Sequence, residues 1–304
     1  MKEDILITGG SGLLALNWAV AVRKKFNVTL GLHDRKINLK DTRSVLLDLD
    51  SKEALTKTLE ALEPQLVIHA AGLTSIEQCQ TNPTLAKYIN VDLTKNLVMV
   101  CAKLNIPMVY ISTDHLFSGN ESLVYEGYPV SPVNVYAKTK AEAETYVLDS
   151  DAETLIIRTN FYGWGTSYRT SFSDTIINHL RAGKKISLFK DIYYTPMLVE
   201  PLVYIVHELA HKKARGIFNV VSDDRISKYD FGFLVAKRFD LDTNLIEKVS
   251  INDEPNLVIR PRDMSLSNEK ASQFLCQKIG DVFEHLKKLK KQEDDRISQE
   301  LQTL

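Results

Sequence analysis

Short apolar runs alternate with helix-forming stretches through the first half of the chain. Residues 5–7, 28–32, 45–47, 66–69, 108–112 and 155–157 have strand length and are apolar throughout. An unbroken apolar run fits a strand covered on both faces, as in a parallel sheet. Between them, residues 13–26, 51–62, 83–104 and 135–148 carry apolar positions at helical spacing. This alternation predicts an α/β fold: a doubly wound parallel sheet of the Rossmann kind, with helices on both faces. Ligands of such sheets sit outside the carboxyl ends of the strands, so the chemistry is sought there.

The rhythm loosens after Arg158. RTNFYGWGTSYRTS is a polar, aromatic, glycine-bearing loop suited to lining a cleft. Helices are predicted over residues 172–182, 201–213 and 228–239, with a strand over 217–221. Residues 1–160 are expected to form the dinucleotide-binding part, with returning segments near 195–222. Residues 161–304 are expected to form mainly a smaller C-terminal substrate-binding lobe. The last stretch, residues 282–304, reads as a charged helix whose end frays or packs weakly.

Of the 304 residues, 44% are hydrophobic and 25% charged, the balance of an ordinary soluble globular protein. A net charge of −1 supplies no field for nucleic acid or an anionic membrane, so neither is expected as a partner. No apolar stretch approaches the roughly 20 residues a bilayer requires, and no leader pattern is read at the N-terminus. Cys79, Cys101 and Cys276 are too few and too scattered for a disulfide framework or a thiolate metal site. A reducing cytoplasm is the expected setting.

ILITGGSGLLA places Gly9, Gly10 and Gly12 between a strand and a helix start. There Gly9, Ser11, Gly12 and Leu13 would bring backbone amides and the helix dipole against a pyrophosphate. Ala15 takes the third small position, which still permits close helix–strand packing. About 18 residues further on, where a carboxylate normally binds the adenosine ribose, stand His33, Asp34, Arg35 and Lys36. Arg35 can pair with a 2′-phosphate, which favours NADP(H); Asp34 keeps NAD(H) open. Asp48, followed by Leu49, is placed to accept from the adenine amino group. Ala70, Ala71 and Gly72 are small enough to let the cofactor pass close to the backbone.

NVYAKTKAEAE sets Tyr136 and Lys140 four residues apart on one helix face. Free tyrosine has a pKa of roughly 10, and a neighbouring ammonium favours the phenolate. PMVYISTD delivers Thr113 at a strand end, where it can hydrogen-bond a substrate oxygen. The expected chemistry is hydride transfer to a carbonyl carbon while Tyr136 gives the oxygen a proton. Lys140 would also hold the nicotinamide ribose.

Seven stretches, spread from residue 5 to about 270, carry a resemblance: TGGSGLL, VIHAAGLTSIEQCQTNP, YINVDLTKNL, YISTDHLFSG, PVNVYAKTKAEAE, FNVVSDDRISKYDFG and RPRDMSLSNEK. They resemble extended short-chain dehydrogenases/reductases, within them the dTDP-4-dehydrorhamnose reductase group. The resemblance implies Thr113, Tyr136 and Lys140 as catalytic residues. It implies a nucleotide-sugar pocket that includes Thr74, His115, Asn160, Phe161 and Arg260, and reduction at C4 of a 4-keto-6-deoxysugar nucleotide. It also implies a homodimer through the helices over residues 83–104 and 135–148. Two positions depart from the group: Ala15 for a glycine, and His115 for the usual tyrosine.

Related dehydratases carry Thr-Asp-Glu, whereas Asp114 here is followed by His115. Related epimerase-reductases place a cysteine in the loop after the fifth strand, and this loop has none. Reduction therefore leads, with epimerisation second. The regulatory β subunit of methionine adenosyltransferase resembles the same group, which keeps a non-catalytic NADP-binding role as an alternative. Substrate choice is expected to rest on residues 160–170 and on the segment after Pro255.

HELAH, with His207, Glu208 and His211, has the spacing of a zinc-hydrolase helix. No His or Glu follows before Glu247 to complete a ligand set. Leu202, Val203, Val206, Leu209 and Ala210 form the apolar face, leaving both histidines on the wetter side. The motif is read as accidental, and no metal site is expected. His69 is expected to be a hydrogen-bonded structural histidine and His179 a surface one, while His115, whose loop borders the substrate, stays open between a structural and a catalytic role.

Overall fold

A computed structural model describes residues 2–254 and 256–304; Met1 and Pro255 lie outside the described residues. The chain begins β1 (Asp4–Thr8), α1 (Leu13–Val22), β2 (Asn27–Leu32), β3 (Arg43–Leu46), α2 (Lys52–Leu62) and β4 (Leu66–His69). It continues with α3 (Ile76–Thr81), α4 (Pro83–Lys87), a π-helical turn (Tyr88–Asp92) and α5 (Leu93–Leu104). Next come β5 (Met108–Ile111), α6 (Val135–Leu148) and β6 (Thr154–Arg158). The second half holds β7 (Phe161–Tyr162), α7 (Phe172–Arg181), β8 (Ile186–Phe189), β9 (Tyr193–Tyr194) and β10 (Met197–Leu198). After these run α8 (Val199–His211), β11 (Gly216–Asn219), β12 (Ile226–Ser227), α9 (Lys228–Arg238) and β13 (Ile246–Val249). Three helices follow: α10 (Glu269–Leu275), α11 (Val282–Asp294) and α12 (Ile297–Gln302).

Seven strands form the central sheet in the order β11-β6-β5-β4-β1-β2-β3, each pairing parallel. Successive strand residues enter opposite cores, which explains the unbroken apolar runs. Ile5 and Ile7 join the core beneath α1 and α8, while Leu6 joins that beneath α2, α5 and α6. Ile68 and Val67 divide in the same way, as do Ile157 and Ile156. Each such side chain, fully buried, contributes about 1.5–3 kcal/mol. The strand order reverses between β1 and β4, opening a crevice at their carboxyl ends. Three small pairings, β7 with β10, β8 with β13 and β9 with β12, organise the second half. No described helix is long and apolar enough to cross a membrane.

Two predicted helices differ from expectation. The one over residues 83–104 starts as expected, with Asn82 capping α4 and Pro83 at its first position, but is divided at Tyr88–Asp92. A π-helical turn then directs Asn90 inward to accept from the Leu73 amide at 2.7 Å. The C-terminal helix breaks at Arg296, whose φ is 63°, and its end is packed rather than frayed. Leu301 is buried, and Glu300 forms a two-pronged pair with Arg23 at 2.5 and 2.7 Å.

Candidate active site

The glycine turn occupies the crevice between β1 and β4. Gly9 has φ +65°, and a Cβ there would lie 2.8 Å from the Ala71 Cα, so glycine is required twice over. The Gly12 amide donates to the Gly9 carbonyl at 2.7 Å, closing the turn before α1. No side chain caps that helix, which leaves its first amides, near Ser11, Gly12 and Leu13, for an anion. The turn therefore fits a dinucleotide pyrophosphate. Opposite it run Ala70, Ala71 and Gly72, with the Ala71 amide donating to Thr8 Oγ1 at 3.2 Å. His69 lies beneath, bonded through Nδ1 to Thr8 at 2.7 Å and through Nε2 to Thr94 at 2.9 Å. Burial, helped by the Lys140 charge, pushes its pKa down to about 3, so it is a neutral structural histidine.

At the adenosine end, His33 and Asp34 are exposed and paired with each other at 2.8 Å. Arg35 is exposed too, its guanidinium 3.8 Å from the centroid of the Tyr168 ring. Asp48 Oδ1 accepts from the amides of Asp50 and Ser51 at 2.9 and 3.2 Å, shaping the turn into α2. The Leu49 carbonyl accepts from Asn96 at 3.0 Å.

Thr113, Tyr136 and Lys140 are brought together, all buried, at the end of β5. Burial raises the Tyr136 pKa, and the neighbouring Thr113 hydroxyl opposes that rise. Lys140 Nζ donates to the Ile111 carbonyl at 2.8 Å and lies 4.1 Å from the Tyr110 ring centroid. Burial pushes its pKa down to about 7, against the pull of Glu144. Asn134 starts α6 by accepting from the Ala137 amide at 2.9 Å, and its amide group donates to the Ile259 carbonyl at 3.0 Å. Asn90 then ties α6 to the loop after β4, donating to Thr139 at 3.0 Å and to the Leu73 carbonyl at 3.1 Å. Sequence reasoning passed over Asn90; its one signal was an amide on the inward side of an apolar helical pattern.

On the substrate side, buried Asp114 accepts from Asn160 Nδ2 at 2.7 Å and from Thr113 at 3.3 Å. His115 meets the Tyr136 ring edge-on, centroids 5.7 Å apart. Burial lowers its pKa; Asp114 opposes this, and Lys228 and Arg260 add to it. Its Nδ1 is buried with no partner among the described residues. Phe161 lies in β7, beside Asn160. Thr74, on the rim, accepts from Arg169 at 2.9 Å. Arg260 reaches across the cleft to pair with Glu77 of α3.

Lys228 was not anticipated. Its Nζ lies 3.6 Å from the Tyr194 ring centroid and 4.8 Å from that of Phe172. Burial pushes its pKa down to about 8, with Asp114 opposing and Arg260 adding. The helix start at Lys228 was legible, but the wall that this residue faces was not.

Comparison with known proteins is decisive for the family. The profile described as the RmlD substrate binding domain matches residues 1–294. The chain belongs to that family. Among its relatives, the probable low-salt glycan biosynthesis reductase Agl14 of Haloferax volcanii is 28% identical over 84% of this chain and 87% of its own length. Methionine adenosyltransferase 2 subunit beta of Mus musculus is 26% identical over 88% of this chain and 81% of its own length. A crystal structure of dTDP-4-dehydrorhamnose reductase from Bacillus anthracis, in complex with NADP, shares the fold. Its TM-score is 0.86, with 23% identity, and the match covers 96% of this chain and all of that one.

In this RmlD family member the HELAH histidines are not arranged for metal. His207 Nε2 accepts from the Trp18 indole at 3.0 Å, and its ring stacks on Phe26 with centroids 4.5 Å apart. Burial pushes its pKa down to about 4. The expectation of a wet face is corrected for His207, because α8 packs against α1 on that side; His211 is exposed. Among the described residues, no three His, Cys, Asp or Glu side chains converge on a possible metal position.

Proposed function

We propose that this protein reduces the C4 ketone of a 4-keto-6-deoxysugar nucleotide, using NADP(H) in preference to NAD(H). The observation that carries the reading is the burial of Thr113, Tyr136 and Lys140 together at the end of β5, beside the dinucleotide crevice. The family assignment, Agl14 and the NADP-bound Bacillus anthracis structure support it.

The nicotinamide, when bound, supplies the hydride. Burial keeps Tyr136 protonated at neutral pH, as a proton donor to the carbonyl oxygen must be. With substrate bound, the Thr113 hydroxyl turns from Asp114 to donate to the same oxygen and fix its direction, while Asn160 holds the Asp114 carboxylate in place. Lys140 holds the ribose hydroxyls, and in its charged form it stabilises the phenolate left behind. Lys228 and Arg260 supply positive charge for the anionic part of a nucleotide sugar. Exposed Leu85, Tyr88, Met99, Tyr146 and Leu148 on the α4–α6 side support pairing with a second copy. Cytoplasmic residence suits such a biosynthetic role.

The test offers NADPH and a dTDP-4-keto-6-deoxysugar to the purified protein. Wild type should oxidise NADPH, and Tyr136→Phe should lower turnover by on the order of 10²–10⁴-fold with dinucleotide affinity retained. Dinucleotide binding without turnover on a panel of keto-sugar nucleotides would instead favour a non-catalytic NADP-binding role.

A further inference from the structure

The loop between β7 and α7 is welded to the nucleotide half. Asn17 of α1 accepts from the Trp164 amide at 3.1 Å and donates to its carbonyl at 2.7 Å. Asp174 Oδ2 gathers the amides of Gly165 and Ser171 at 2.7 and 2.8 Å, closing the base of the loop. The Thr166 amide donates to the Arg169 carbonyl at 2.8 Å and pinches the tip. At that tip the Tyr168 hydroxyl donates to the Ser11 carbonyl at 2.8 Å, inside the glycine turn. The other face of the contact is Arg35, stacked over the Tyr168 ring at 3.8 Å.

Arg35 follows β2 in an exposed bend, where an unsupported guanidinium would sample many rotamers. Stacking confines it, and because the ring covers only its flat face, the in-plane N–H groups stay available to a phosphate. Confinement before binding lowers the ordering cost on binding. We propose that Tyr168 is a positioning residue for cofactor choice: anchored to Ser11, it presents Arg35 to the adenosine 2′-phosphate and so sets the preference for NADP(H) over NAD(H). The inference rests on the dinucleotide site proposed above. NAD(H) lacks that phosphate, so its affinity is indifferent to the stack.

Calorimetric titration of NADP+ and NAD+ into wild type, Tyr168→Ala, Tyr168→Phe and Arg35→Ala tests this. Tyr168→Ala should lose about threefold to tenfold in NADP+ affinity, with NAD+ affinity changed by less than about twofold. Tyr168→Phe keeps the ring and should retain most of the preference; Arg35→Ala should abolish it. Should Tyr168→Ala fail to fold, Tyr168→Leu, which has bulk but no π face, must show the same selective loss. Equal weakening towards both dinucleotides, or an unchanged ratio, would overturn the proposal. Wild type binding both equally well sinks the positioning role alone. Wild type binding neither sinks the cofactor reading itself.

Discussion

On the nucleotide side of the crevice, at the glycine turn, the anion-facing groups are main-chain amides, and the charged side chains at its adenosine end, His33, Asp34 and Arg35, are in solvent. On the reducing side, Thr113, Asp114, Tyr136 and Lys140 are buried, and burial shifts the Tyr136 and Lys140 pKa values. Amide dipoles carry no proton that neutral pH can remove, and their usefulness depends on how closely a ligand can approach. Buried titratable groups act strongly in a low-dielectric setting but cost stability in their charged forms. One wall should therefore be sensitive to shape and indifferent to pH, and the other the reverse.

The largest effect that tests this contrast is expected from Lys140→Met. Turnover should fall by on the order of 10²-fold, yet the variant should melt higher at pH 7. In the folded protein the Lys140 pKa drops from 10.5 to about 7, so between those values the unfolded chain holds more protons. Wild-type stability therefore rises from pH 7 towards 10.5. A gain of roughly 2–4 °C at pH 7 that shrinks by pH 10 in calorimetric melts is the expected signature. A uniform gain at both pH values would break the contrast.

Gly9→Ala is the matching change on the other wall. Its left-handed φ and the approach of Ala71 predict a loss of about 1–3 kcal/mol in urea unfolding, with weaker dinucleotide binding. Both losses should be the same at pH 6 and pH 9. A smaller effect comes from two buried histidines, one beneath the glycine turn and one on α8. The folded-state pKa values of His69 and His207 fall to about 3 and about 4. Below pH 6.5 the unfolded chain takes up protons these rings refuse, so stability falls with pH. Each contributes about 1.4 kcal/mol per pH unit. His207→Leu should flatten that slope by one histidine's share in urea melts between pH 5 and 6.5.

The sheet, its crevice and the glycine turn were legible because periodicity and turn residues encode them locally. Tyr136, Lys140 and Thr113 were legible because helix spacing and a strand end place them. Lys228 and Tyr168 were not: one meets Phe172 and Tyr194, the other Ser11 and Arg35, through folding of distant segments. The Asn90 kink escaped because a π turn depends on a bond to Leu73, which no pattern within the helix announces. His207 misled for a related reason. Its apparent polar face is covered by Trp18 and Phe26 from near the other end of the chain.

β11 comes from beyond residue 215 yet hydrogen-bonds to β6 in the main sheet, and α8 just before it covers α1. A fragment stopping near residue 160 would thus leave one border of the sheet bare and a greasy helix flank uncovered. Recombination that exchanges the second half for another has to carry residues 197–219 along with the first half, which makes the workable crossover points discontinuous in the gene.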